Sequence, residues 1–376
     1  MKNTNKTIVI GVDHGYENIK TAHAIFKSGV MAYDAEPIFT HNMLVYKDRY
    51  YIIGEGHKEF SANKADDQDY YILTLAAIGI ELRLRGLTSA RVYLAAGLPL
   101  TWVGEQKEAF KAYLLQNKEA DFGFRGESYH VEFVGADVFP QGFSAVADRL
   151  REFRGVNMLC DIGNGTMNVM YINNGKPVSS RCYTEKFGTQ QCMIAVREKL
   201  MQRFGVAVDE TVIETVLRFG DADIGEQYLD AIRESAAEYV AGIMRRLREH
   251  EYNPELMRLY VVGGGSCLIK NFAEYDPERV TINDDICATA KGYELLAQCV
   301  EAYAVFCLEV MGFVFYADDG LVIVGLNVGV GDSWLGHEQD DAGPLDGCYG
   351  ALYAEMLYWV VGMADAGGVD EAEGDA

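Results

Sequence analysis

Basic residues are scarce in this sequence. Lys and Arg number 33 against 56 Asp and Glu in 376 residues, a formal charge of −23. Such a surface repels DNA phosphates and anionic lipids, which excludes direct duplex binding as a primary activity. Any link to nucleic acid then runs through a basic partner. No run of about 18 uncharged apolar residues occurs, so no membrane span is expected. The polar start lacks the apolar segment of a secretion signal, so a cytoplasmic location is expected. None of the eight cysteines forms a Cys-x-x-Cys pair or a Cys/His cluster with zinc spacing. They read as reduced core residues of a cytosolic protein. Two phosphate-binding signatures are missing as well: Gly-x-x-x-x-Gly-Lys-Ser/Thr, and Gly-x-Gly-x-x-Gly after the first strand. Their absence argues against P-loop and dinucleotide folds.

What is present suffices for buried cores. The chain is 49% hydrophobic and long enough for two or three compact domains. Residues 7–12 read as a buried strand, 13–18 as a polar turn, and 19 onward as a second strand. Residues 70–85 read as a helix capped by Asp69 and stopped at Gly86. A strand over 91–96, a helix over 105–117, strands over 129–134 and 137–139, and a helix over 143–153 follow. The second half opens with a strand over 156–160 and an Asn-Gly hairpin turn at Asn174 and Gly175. Helices over 190–204, 209–217 and 225–250, a strand over 259–262 and a helix over 285–304 complete it. The alternation predicts an α/β fold. Beyond residue 304 Lys and Arg vanish and the pattern breaks up. Residues 350–363 read as a packing or oligomer-contact helix, and 364–376 as a disordered acidic tail.

Two stretches share one unusual form. IVIGVDHGYENIK (residues 8–20) and CDIGNGTMNV (160–169) each run strand, aspartate, any residue, glycine, short polar turn, strand. Glycine lets a tight hairpin turn its backbone N–H groups toward one anion. Two such hairpins across a cleft grip a polyphosphate from both sides. Gly15, Tyr16 and Asn18 belong to one hairpin, and Gly163, Asn164, Gly165 and Thr166 to the other. Asp13 and Asp161 repel phosphate but suit Mg²⁺, held through water. Lys20 supplies a positive charge to the same phosphates.

A third element follows in chain order. A strand runs into Gly263, Gly264, Gly265 and Ser266, where a flat nucleoside can lie against the backbone. Gln141 ends a strand shortly before the second hairpin. Alone it is a helix-capping polar residue. Beside the hairpins it is a candidate catalytic residue that orients an attacking water.

These segments resemble the actin superfamily, which includes sugar kinases and chaperone ATPases. GVDHGYENIK resembles its first phosphate motif, CDIGNGTMNV the second, LYVVGGGSCLI the adenosine motif, and ADVFPQGFSAVAD the segment carrying the water-orienting residue. AAGLPL and DHGYENIKTA look most like the ParM/StbA actins that segregate plasmids. The resemblance implies two ribonuclease-H-like domains flanking a cleft for ATP and Mg²⁺, with GTP an alternative. Residues 1–155 form the first domain, 156–284 the second, 285–304 a closing helix, and 305–376 an acidic extension of unassigned role. It further implies ATP-driven filaments that hydrolysis destabilises, and a basic, DNA-bound, ParR-like adaptor. By position, Asp13 and Asp161 match the metal-organising aspartates and Gln141 the hydrolytic residue. Two departures stand out: Tyr16 and Glu17 occupy positions where relatives carry small or hydroxyl residues. Tyr16 is expected to narrow the terminal-phosphate end, and Glu17 to face away from it.

Two other functions fit the same fold. A small-molecule kinase needs a base for a hydroxyl proton, and residues 139–147 hold no carboxylate; Asp148 lies further along. A non-hydrolysing nucleotide scaffold needs no Gln141 chemistry.

Overall fold

The computed structural model describes residues 3–38, 41–56, 67–311, 315–317 and 320–322. The chain divides into two compact units, Met1–Glu294 and Leu295–Ala376.

The larger unit opens with six strands: β1 (Asn3–His14), β2 (Asn18–Lys20), β3 (Ile25–Lys27), β4 (Val30–Tyr33), β5 (Met43–Tyr46) and β6 (Arg49–Ile53). Helix α1 (Gln68–Leu84), β7 (Ser89–Leu98), α2 (Leu100–Leu114), β8 (Glu119–Phe124) and β9 (Glu127–Pro140) follow. These strands form one sheet of nine, in the order β3-β2-β1-β7-β9-β8-β5-β6-β4. A 3₁₀ helix (Phe143–Glu152) leads to β10 (Val156–Ile162), β11 (Met167–Asn173) and β12 (Lys176–Glu185). Next come α3 (Thr189–Phe204), α4 (Glu210–Phe219), α5 (Glu226–Glu249), β13 (Arg258–Val262), α6 (Ser266–Phe272), β14 (Val280–Ile282) and α7 (Ala288–Met311). The second sheet runs β12-β11-β10-β13-β14.

The two sheets share a topology. β1 pairs antiparallel with β2 and β2 with β3, while β1 to β7 and β7 to β9 are parallel. β10 pairs antiparallel with β11 and β11 with β12, while β10 to β13 and β13 to β14 are parallel. Each sheet therefore has the order 3-2-1-4-5 with the same strand directions. The two aspartate hairpins are strands 1 and 2 of each. The α/β fold expected from the sequence is the fold observed, with two sheets of like topology. Each sheet has its own apolar core, one including Ile10, Val92 and Leu94, the other Leu259, Val261 and Ile243.

Several expected boundaries shift for physical reasons. The cap of α1 is Asp67, whose carboxylate accepts from Asp69 N–H at 3.0 Å. Asp69 instead supplies negative charge to the first turn. The expected break at Gly135 is a bulge within a continuous β9. The register moves from Val92 opposite Phe133 to Tyr93 opposite Gly135, leaving Val134 extra. Residues 143–152 wind as a 3₁₀ helix, with Ala145 N–H donating to Gly142 O at 3.0 Å. Phe143, Ser144, Ala145, Val146 and Ala147 are all buried, so packing rather than local propensity sets the winding. The Asn-Gly turn is as expected, with positive φ at both Asn174 (49°) and Gly175 (78°). The helix expected at 285–304 runs Ala288–Met311. Within the second unit, β15 (Phe315–Ala317) and β16 (Gly320–Val322) form a hairpin. The expected helix at 350–363 and the tail at 364–376 lie outside the described residues.

The start of α7 packs against the first sheet. The Gly11 N–H donates to Glu294 Oε1 at 3.0 Å. Added methyl groups would overlap the Ala290 carbonyl at Gly11, the Tyr293 hydroxyl at Gly97 and the Ser144 carbonyl at Gly292. Gly97→Ala should therefore destabilise the protein by about 1–3 kcal/mol, the usual cost of overpacking a core. Urea denaturation monitored by circular dichroism checks this.

Candidate functional site

The first hairpin pairs Asp13 with Lys20 and His14 with Ile19, leaving a four-residue loop over 15–18. The second pairs Asp161 with Asn168 and Ile162 with Met167, leaving a four-residue loop over 163–166. Strand register thus puts the two aspartates at equivalent places, one pair before each loop. Local bonds hold the loops: Gly15 N–H donates to Asp13 O at 3.1 Å, and Gly163 N–H to Thr166 O at 2.8 Å. The second loop is also tied to the start of α3, where Thr189 Oγ1 donates to Asn164 Oδ1 at 2.9 Å.

Both loops open onto one cavity of about 600 Å³. Asp13, Gly15, Tyr16, Asn18, Lys20 and Gln141 line it, as do Asp161, Gly163, Asn164, Gly165, Thr166, Gly263 and Gly264. Gly265 and Ser266 are not on its wall. Gly265 N–H donates to Ile162 O at 2.8 Å, and Ser266 is 2% exposed. They join β13 to α6 behind the surface that Gly263 and Gly264 present. Glu17 is on the wall rather than turned away, with Lys27 Nζ donating to its carboxylate at 2.8 Å.

The charged centre is compact. Lys20 Nζ donates to Asp13 Oδ2 at 3.1 Å, and Gln141 Nε2 donates to Asp13 Oδ1 at 3.1 Å. Asp161 is flanked by two glycines. A methyl group on Gly142 would stand 3.0 Å from its Cβ, and one on Gly263 would overlap its Oδ1. Both glycines have positive φ, 78° and 87°, which suits glycine. Asp13 holds the Lys20 ammonium above the usual lysine range, with Asp161 adding to the effect against burial. Burial pushes the Asp161 carboxyl up to about 6; Asp13 adds to this, while Lys20 and Asn168 oppose it. Two carboxylates share one lysine, so the centre carries uncompensated negative charge. That suits a hard divalent cation. Among the described residues no group of three or more His, Cys, Asp or Glu forms a metal cage. An ion here takes at most two protein carboxylates and draws its other ligands from water or phosphate, which is the habit of Mg²⁺.

Sequence reasoning missed the far wall. Gln190 and Met193 of α3, and Glu214, Leu217 and Arg218 of α4, line the same cavity with Cys267. Glu210, Glu214 and Leu217 recur at helical spacing on α4, and acids on that stripe were the available signal. His14 went unremarked too. It is buried, with its Nε2 and Thr74 Oγ1 2.8 Å apart and its ring edge-on to Tyr70 and Phe110. Cys160, Cys182, Cys192, Cys267, Cys287 and Cys299 are free thiols.

Comparison with known proteins agrees with this fold. Residues 11–143 match the family of actin-like protein N-terminal domains, and residues 159–274 match the C-terminal family of archaeal MreB-like actin homologues. No curated protein sequence gives a match. Among solved structures, the archaeal actin homologue Ta0583 in complex with ADP is 22% identical with a TM-score of 0.61, covering 77% of this chain and 99% of its own. The Bacillus thuringiensis ParM with ATP is 13% identical with a TM-score of 0.59, covering 78% of this chain and 98% of its own. The Alp12 filament structure is 15% identical with a TM-score of 0.59, covering 79% of this chain and 100% of its own. Residues 11–143 and 159–274 thus each carry an actin-like domain, and the fold is that of the actin homologues, ParM among them.

Proposed function

We propose that this protein binds and hydrolyses a nucleoside triphosphate, with ATP favoured, and polymerises in its triphosphate-bound form. One observation carries the reading. Two Asp-x-Gly hairpins, equivalent in two sheets of equal topology, open onto one cavity where Asp13, Lys20, Gln141 and Asp161 cluster. In this reading the 15–18 and 163–166 loops bind the phosphates, and Lys20 balances their charge. Gly263 and Gly264 support the nucleoside, with α4 as the opposite wall. Asp13 and Asp161 would hold a Mg²⁺ ion through water, and such an ion would supply charge neutralisation to the phosphates. Gln141 orients the attacking water.

The ADP- and ATP-bound relatives support nucleotide binding, and the filament-forming relative supports self-association. We place the domain limits at 1–155 and 156–284. Plasmid segregation follows as the biological role, with a basic ParR-like adaptor linking the acidic filament to DNA. No helix among the described residues is long and apolar enough to cross a membrane. The kinase alternative is weakened because Asp148 does not line the cavity.

The test is sedimentation and negative-stain electron microscopy of the purified protein with ATP, GTP, ADP or no nucleotide, with Mg²⁺ across a range of salt. Filaments are expected with a triphosphate and absent without nucleotide. Lack of nucleotide-dependent assembly under every condition would overturn the polymer reading.

A further inference from the structure

Tyr293 lies beneath this site, close to Gln141. Its side chain is fully buried. Its ring stacks on Phe139 with centroids 6.2 Å apart, and its hydroxyl fills the space left by the missing side chain of Gly97. Gly97 and Phe139 face each other across β7 and β9, and the next pair, Leu98 and Pro140, leads directly to Gln141. The backbone N–H of Gln141 donates to Leu98 O at 2.8 Å. Among the described residues the Tyr293 hydroxyl completes no hydrogen bond of good geometry, although it lies close to the Gln141 side chain and within the fields of Asp13 and Asp161. Gly97, Phe139 and the helix anchored by Gly11 and Glu294 hold the ring from three sides, so the hydroxyl is a fixed post.

The chemistry of Gln141 sets the next step. A carboxylate only accepts hydrogen bonds, so the bond to Asp13 Oδ1 fixes which end of the Gln141 amide is nitrogen. One bond still lets the amide swing about it. A buried hydroxyl without a partner is costly, which argues for a partner in the working state. Resting on the hydrolytic reading above, we propose that Tyr293 is a positioning residue whose hydroxyl accepts the second Nε2–H of Gln141. With both N–H groups engaged, Oε1 turns toward the cavity and accepts from the attacking water.

Tyr293→Phe removes the hydroxyl and keeps the ring. Turnover of ATP should fall about tenfold, the scale of one lost hydrogen bond, while KM and the melting temperature stay close to wild type. In a Gln141→Ala background the same change should cost nothing further, because the two residues act as one unit. Turnover within twofold of wild type, or losses that multiply, would overturn the proposal. A second readout is independent of turnover: the side-chain amide ¹H–¹⁵N resonances of Gln141 with the non-hydrolysable analogue AMPPNP bound. Tyr293→Phe should shift one proton of that pair strongly, and an unchanged pair counts against the proposal. If wild-type protein binds the analogue but never hydrolyses ATP, the hydrolytic reading fails, while the amide signal still decides whether Tyr293 holds Gln141.

Discussion

Asp161→Asn should lower ATP turnover about a thousandfold and, in the nucleotide-free protein, raise the melting temperature at neutral pH. Both effects have one origin. The carboxyl group stands in a pocket that disfavours its charge, with a folded pKa of about 6 against an ordinary 3.8. An acid whose pKa is raised by folding stabilises the fold below its unfolded pKa, and that contribution is lost as pH rises through the folded value. The wild type is therefore penalised progressively between about pH 4 and 6, and fully above that range. Asparagine carries no such penalty. The melting temperatures of the two proteins should converge near pH 3.5 and separate by pH 7, with the variant higher. Mg²⁺ and a triphosphate should reverse the order, because the ionised group then has a cation to face. The rate effect follows from the same ion. Charge stabilisation by a bound metal is worth several kcal/mol, and about 1.4 kcal/mol is tenfold in rate. A variant that melted lower at pH 7 and kept its turnover would make Asp161 a structural residue.

The hairpins were legible because their signal is local. Aspartate, glycine and four loop residues fix a register over fewer than ten positions, and that register put Asp13 and Asp161 at matching places. The shared 3-2-1-4-5 order could be read only as an echo of motifs, since Ile25–Lys27 through Arg49–Ile53 are strands of three to five residues without strong alternation. The bulge at Val134 hid one continuous strand as two, because an extra residue inverts the period-2 pattern. The α4 wall was invisible for a different reason. Glu214 and Arg218 read as solvated helix charges until α3 and α6 are packed beside them. Tyr293 lies furthest from sequence reasoning. It reaches Gly97 only because the chain returns to the first sheet after nearly two hundred residues. The three-glycine run shows the limit of motif reading: Gly263 and Gly264 face the cavity, while Gly265 and Ser266 serve the strand-to-helix connection.

Gln141→Ala should slow phosphate release about a hundredfold, leave ATP affinity within about threefold, and lengthen the life of any filament formed. The residue sits at the end of β9, where its backbone is held by Leu98 and its side chain reaches only the edge of the charged centre, through Asp13 Oδ1 at 3.1 Å. Losing a group that aligns a nucleophile costs on the order of 10²-fold, while binding contacts elsewhere are untouched. Asp13 keeps its ion pair with Lys20 at 3.1 Å, so the loss of stability should be no more than about 1 kcal/mol. Single-turnover phosphate release, nucleotide titration and light scattering on the same preparation separate the three quantities. Slow release with normal assembly means that hydrolysis acts after polymerisation, as a timer on filament life. Assembly lost together with hydrolysis would instead assign the Gln141 bond to Asp13 a structural role in shaping the polymerising state. Unchanged release would remove Gln141 from the chemistry, and Tyr293 with it. In the proposed arrangement Tyr293 holds Gln141 and Gln141 holds Asp13, and the order in which those links fail is what the measurements read.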